Sequence, residues 1–157
     1  MTKVHKAVLI SLFVLMAYLV YTGYAIHQNT DRTLLIAAIW WHIAFGLMAI
    51  VPILIYGVAR ASGWLEKTRF ESDFLSWLVN AIAALSVLLT LSGMLTVWSR
   101  GSPLKVFDWL VVPSPVERMN TTYEALEMTH GLLGFAASVC LVLFIVLGAI
   151  SLIKGAR

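Results

Sequence analysis

Residues 34–59 read LLIAAIWWHIAFGLMAIVPILIYGVA, a run of 26 residues without one charged side chain. At the rise of about 1.5 Å per residue of an α-helix, such a run is longer than the roughly 30 Å of hydrocarbon in a bilayer. Three further segments share its character: Ala7 to Ile26 before it, then Phe74 to Trp98 and Thr129 to Ile153 after it. Hydrophobic residues make up 61% of the 157 and charged residues 12%. A single water-soluble core cannot hide that much apolar surface, so the expected partner is lipid. The expected fold class is all-α, an integral membrane four-helix up-and-down bundle forming a single transmembrane domain over residues 1–157. Its helices are expected at about 7–26, 34–59, 74–98 and 129–153, with the longest connection over 99–128.

The first segment follows Lys3 and Lys6 and ends near Gly23-Tyr24-Ala25, which loosely imitates a signal peptide. Its apolar run is longer than an h-region of about 7–15 residues, so we read it as an uncleaved first helix. Lys3, Lys6, Arg60, Lys67, Arg69, Lys154 and Arg157 fall on one side of the predicted bundle. Arg32, Arg100, Lys105 and Arg118 fall on the other, with Asp31, Asp108, Glu117, Glu124 and Glu127. The positive-inside rule then puts both termini in the cytoplasm and the 99–128 connection outside. The net charge of +3 is a topology signal, and nucleic acid is not an expected partner.

The outer connection opens with turn chemistry, Ser99-Arg100-Gly101-Ser102-Pro103. Leu104 to Val112 suits a short interfacial helix or a hairpin, and Pro113 and Pro115 end it. Glu117 to Met128 contains no helix breaker and can begin the fourth helix above the membrane. The single cysteine, Cys140, has no partner for an internal disulfide and is read as a packing residue. A Gly-rich phosphate loop, a zinc-protease motif and a nucleophile triad are all missing from the sequence. Ser86 and Ser92 read as helix-packing residues.

Imidazole at membrane depth is costly without a partner, so the four histidines carry the functional question. His5 and His27 stand at opposite ends of the first helix and cannot share a site; His27, in a polar loop edge, is expected to be exposed. His42 and His130 sit in the second and fourth segments, which run in the same direction, and each lies in the outer part of its helix. In an up-and-down bundle these two helices are diagonal neighbours, so the two imidazoles can face each other. That arrangement suits a flat macrocycle whose iron takes one imidazole from each side. Gly46 and Gly134 each follow their histidine by four residues, on the same helix face and without a side chain to obstruct a porphyrin. Zinc is less well served, because no nearby Cys, Asp or Glu completes a tetrahedral set.

With His5 opening the first helix, His42 and Gly46 in the second, Ser99-Arg100-Gly101-Ser102-Pro103 after the third and His130 opening the fourth, the chain resembles the bacterial cytochrome b561 family. The resemblance extends over essentially the whole length. It implies a multi-pass protein of the bacterial inner membrane carrying b-type haem, with His42 and His130 as axial ligands of an outer haem. Family members typically hold a second haem near the inner face, between a histidine at the position of His5 and one about 14 residues after the first ligand of the last helix. Here that position is Phe144, and Lys6 replaces the tryptophan that usually follows the first histidine. One haem b is therefore expected, on the outer side.

A six-coordinate iron suits electron transfer better than binding a substrate. The expected function is transfer of electrons between a periplasmic-side donor and membrane quinone, the partner that the resemblance implies. The donor is either a redox protein or superoxide, the latter suggested by part of the family. Arg100, Lys105 and Arg118 lie where they can neutralise haem propionates or attract an anionic donor. Whether the chain is itself a quinone-linked oxidoreductase, and which residues would be catalytic, stays open at this level. A second reading is a membrane anchor and electron-transfer subunit of a larger respiratory or dehydrogenase complex. A third is a haem-free packing subunit of such a complex.

Overall fold

The computed structural model describes residues 3–28, 31–62, 73–106 and 110–155, and these are mostly helical. Four helical stretches are long and apolar enough to cross a membrane: Ile10–Gln28, Thr33–Ala59, Phe74–Ser99 and Asn120–Ile150. The elements are α1 (Lys3–Gln28), α2 (Arg32–Met48), α3 (Ile50–Ala61), α4 (Asp73–Ser99), a hairpin of β1 (Leu104–Val106) and β2 (Leu110–Val112), and α5 (Asn120–Gly155). The second predicted segment is thus two helices laid end to end. They meet at Ala49, three residues before Pro52. Proline has no N–H to give to the carbonyl four residues back, and its ring crowds that carbonyl, so the helix breaks its regularity there. Bonds from Ala49 N to Phe45 O (2.9 Å) and from Ile53 N to Ala49 O (3.2 Å) carry the chain through.

Capping chemistry fixes both ends of the site-bearing region. Asp31 starts α2 by accepting hydrogen bonds from Thr33 N (2.8 Å) and Leu34 N (3.2 Å), which satisfies donors that the first turn leaves free. After α4 the chain turns through Gly101 at φ 71°, with Gly101 N bonded to Trp98 O at 2.8 Å. β1 and β2 pair antiparallel, with Leu104 opposite Val112 and Val106 opposite Leu110. Leu104 and Val106 are buried, and β1 lies on α2 and α4, so the hairpin tucks against that end of the bundle. The last helix begins at Asn120.

Helix neighbours follow from the contacts. α1 packs on α2, α3 and α5, and α4 packs most heavily on α5, with further contacts to α2 and α3. This leaves α2 and α5 diagonal, as are α1 and α4. Residue pairs such as Thr22 with His42 and Tyr18 with Phe45 show α1 and α2 running antiparallel. Ser92 with His130 and Leu89 with Gly134 show the same for α4 and α5.

The continuous apolar core lies toward the end that carries both termini. Leu12, Met16, Ile82 and Ala137 are buried together there, with Phe13, Ile53, Leu85 and Cys140 against them. Phe13 and Phe144 stack with ring centres 4.4 Å apart and planes 16° from parallel. Tyr56 and Val79 close the adjoining layer, and the Tyr56 hydroxyl donates to Asn80 Oδ1 at 3.1 Å. Large apolar side chains elsewhere, among them Leu54, Leu91, Phe135 and Val142, face outward, as lipid-facing positions do.

Candidate functional site

His42 is the eleventh residue of α2, and His130 is the eleventh of α5. Equal advance along two helices that run in the same direction places both rings at one depth, about 15 Å from their helix starts. Across the diagonal the ring centres are 6.1 Å apart and the ring planes stand at 88°. Both side chains are partly buried, in the half of the bundle away from the termini.

Each imidazole is held by the helix that precedes its own. The His42 Nδ1 lies 2.9 Å from Thr22 Oγ1 on α1, and the His130 Nδ1 lies 2.9 Å from Ser92 Oγ on α4. The hydroxyl protons are already committed within their own helices. Thr22 donates to Tyr18 O (3.0 Å), with Leu19 O also in reach (3.2 Å), and Ser92 donates to Leu89 O (3.1 Å). A hydroxyl has one proton and two lone pairs, so toward the imidazoles each oxygen can only accept. The assignment that satisfies this network has Nδ1 protonated on both rings. That leaves Nε2 of each ring as the nitrogen with a free lone pair.

Beside each hydroxyl stands a glycine whose missing side chain makes room for the ring. A Cβ at Gly23 would meet His42 Cε1 at 3.4 Å, and one at Gly93 would meet His130 Cε1 at 3.1 Å and its Nδ1 at 3.5 Å. Gly46 and Gly134 are under less pressure: a Cβ there would touch only Leu19 Cδ2 at 3.9 Å and Leu89 Cδ2 at 4.0 Å. The glycines that seat the rings are thus Gly23 and Gly93, a feature separate from the room for a macrocycle read from sequence at Gly46 and Gly134. Ser92, read from sequence as packing, is an imidazole partner; Ser86 does pack, its hydroxyl on Ile82 O at 2.7 Å and Met16 Sδ at 3.1 Å. The missed signal is a repeat: Leu19-Val20-Tyr21-Thr22-Gly23 and Leu89-Thr90-Leu91-Ser92-Gly93 both spell Leu-x-x-hydroxyl-Gly, each ahead of a His-x-x-x-Gly.

The cations of the 99–118 region are already engaged. Arg100 donates to the Tyr123 hydroxyl and pairs with Glu127 at 3.5 Å, which ties the end of α4 to the start of α5. Arg118 Nε donates to Asn120 Oδ1 at 2.8 Å. Lys105 Nζ sits 5.0 Å from the centre of the Trp40 ring, two residues before His42. Arg100, Arg118, Ser102 and Tyr123 line an open hollow of about 320 Å³. Trp98 Nε1 is buried without a partner among the described residues. His27 is exposed at the end of α1; His5 lies in the first turn of α1, and its side chain is outside the described residues.

Among the described residues no group of three or more His, Cys, Asp or Glu side chains gathers to hold a metal ion. What the described residues bring together here is a pair of imidazoles, His42 and His130. No protein-family model matches the chain, no curated protein matches its sequence, and no solved structure matches its fold. The likeness to the cytochrome b561 family rests on the motifs alone, and the function must be argued from the site.

Proposed function

We propose that the chain is a membrane electron-transfer protein that holds one b-type haem between His42 and His130. The observation that carries this is the paired imidazoles at 6.1 Å with both Nδ1 atoms engaged from behind. A metal takes an imidazole nitrogen at about 2.0–2.1 Å and the ring centre lies about 1.2 Å beyond, so two imidazoles on one iron would have centres about 6.5 Å apart. Two donors suit a macrocycle that supplies the other four, whereas a tetrahedral structural ion wants four protein ligands. Ligating histidines characteristically give their other N–H to a fixed acceptor, as Thr22 and Ser92 provide here.

Haem, when bound, supplies a one-electron couple at an iron with no open position. The residues of the chain do the rest. His42 and His130 hold the iron, the α2–α5 diagonal sets its depth, and the buried Trp98 N–H is a donor available to a polar edge of the group. Lys105 beside Trp40, with the Arg100 and Arg118 hollow, lends positive charge near the same end. In this reading the protein spans the bacterial inner membrane with both termini in the cytoplasm. The histidine half is then the outer one, placed to exchange electrons between a periplasmic donor and quinone in the lipid.

The test is the optical spectrum of the purified protein. Dithionite should bring up the sharp bands of a six-coordinate b haem, and His130→Ala should abolish them. Unchanged bands in His130→Ala would remove His130 from the ligand set.

A further inference from the structure

Resting on that haem reading, we propose that Thr22–Gly23 and Ser92–Gly93 are positioning elements that set the imidazole planes of the two ligands at right angles and hold Nδ1 as the donor nitrogen. Three features of the geometry point this way. First, each Nδ1 lies 2.9 Å from a hydroxyl oxygen whose proton has a backbone carbonyl in reach, Tyr18 O or Leu89 O, so that the oxygen can accept from Nδ1–H. An Nδ1–H···O bond of 2.9 Å fixes rotation of the ring about its side-chain bonds as well as its tautomer.

Second, the faces of the rings are confined by the glycine Cα positions at Gly23 and Gly93, where a methyl group would fall 3.4 and 3.1 Å from Cε1. A ring bonded at one edge and backed by a helix has one orientation left. Third, the same kit occurs twice at the same place in both helix pairs, Leu-x-x-hydroxyl-Gly against His-x-x-x-Gly, with Leu19 on Gly46 and Leu89 on Gly134. Ordinary packing serines and threonines in membrane helices satisfy themselves on their own carbonyls and need no imidazole opposite. The outcome of the two clamps together is the 88° between ring planes.

Ring orientation has an electronic consequence. Axial imidazoles at right angles leave the two π-type d orbitals of ferric iron close in energy, which gives a low-spin resonance with one large g value. Parallel rings split those orbitals and give a rhombic signal. A hydrogen bond from Nδ1–H makes the imidazole a stronger electron donor and so favours the ferric state.

The experiment is electron paramagnetic resonance and redox titration of the ferric, detergent-purified holoprotein beside Thr22→Val, Ser92→Ala and the conservative Thr22→Ser. The expected wild-type signal is the strongly anisotropic one. Thr22→Val and Ser92→Ala should each move it toward rhombic, raise the midpoint potential and lower haem retention by about 10-fold. Thr22→Ser should restore all three. A rhombic wild-type signal, unchanged variants, or a Thr22→Ser that behaves like Thr22→Val would overturn the inference while leaving the haem in place. A wild-type protein without haem would instead overturn the parent reading, and this one with it.

Discussion

The two halves of the bundle are filled in opposite ways. Toward the termini, α1, α3, α4 and α5 meet through Phe13, Tyr56, Ile82 and Phe144, and the Phe13–Phe144 stack fills the space between helices. Toward the other end, the diagonal is occupied by two imidazoles, each bonded to a hydroxyl and flanked by a glycine. Lipid is as apolar as a protein core, so helix association draws on packing and hydrogen bonds more than on a hydrophobic drive. The first half therefore supplies shape complementarity and the second supplies polar groups that must all be satisfied. On the proposed membrane reading, the polar pair is the candidate for function. The family that the motifs resemble would place a second haem ligand at Phe144, and here that position is part of the aromatic stack.

If the halves differ as described, their responses to substitution should separate. His42→Ala or His130→Ala should have the largest effect, reducing bound haem by more than about 100-fold when measured by pyridine extraction, since one axial nitrogen and its fixed geometry are lost together. Phe144→Ala should instead lower the stability of the bundle by about 3 kcal/mol in a detergent or urea unfolding series, because the neighbours of a removed ring close only partly around the cavity. Haem absorbance of the folded fraction should be retained in Phe144→Ala. Loss of haem from this variant at a temperature where it remains folded would erase the division into halves.

Smaller changes grade the histidine half itself. Gly93→Ala should cost about 1 kcal/mol of stability and loosen haem, because its methyl would lie 3.1 Å from His130 Cε1 and the ring must yield. Gly23→Ala, at 3.4 Å from His42, should cost less than Gly93→Ala in the same assay; the reverse order would contradict the seating of the rings. Arg100→Gln should be the mildest, within about 0.5 kcal/mol, since its ion pair with Glu127 is half exposed on both sides. A salt titration that narrowed the gap between Arg100→Gln and wild type would agree with this.

The four long helices were legible in the sequence because length and hydropathy are local properties. The pairing of His42 with His130 was legible because equal advance along two like-directed helices needs no knowledge of rotation. Rotation is what the sequence hides. Thr22 and Ser92 each bond their own helix as any membrane hydroxyl does, and only the phase of α1 against α2, and of α4 against α5, turns the remaining lone pair toward an imidazole. The same ignorance of phase hid the contacts of Gly23 with His42 and of Gly93 with His130. Leu104 to Val112 was too short for a period to separate helix from hairpin; β1 pairs with β2 and packs on α2 and α4, long-range contacts that no local period reports. The break at Ala49 lay within an apolar run whose hydropathy does not change across it, and only Pro52 signals it.

The central claim is that one half of this bundle binds haem and the other does not. It is tested most directly by the molar ratio of extracted haem b to polypeptide in the purified full-length protein, with the reduced spectrum recorded on the same sample. The account predicts one haem per chain; a ratio near two would place a second haem in the aromatic half, and a haem-free protein would contradict the claim altogether.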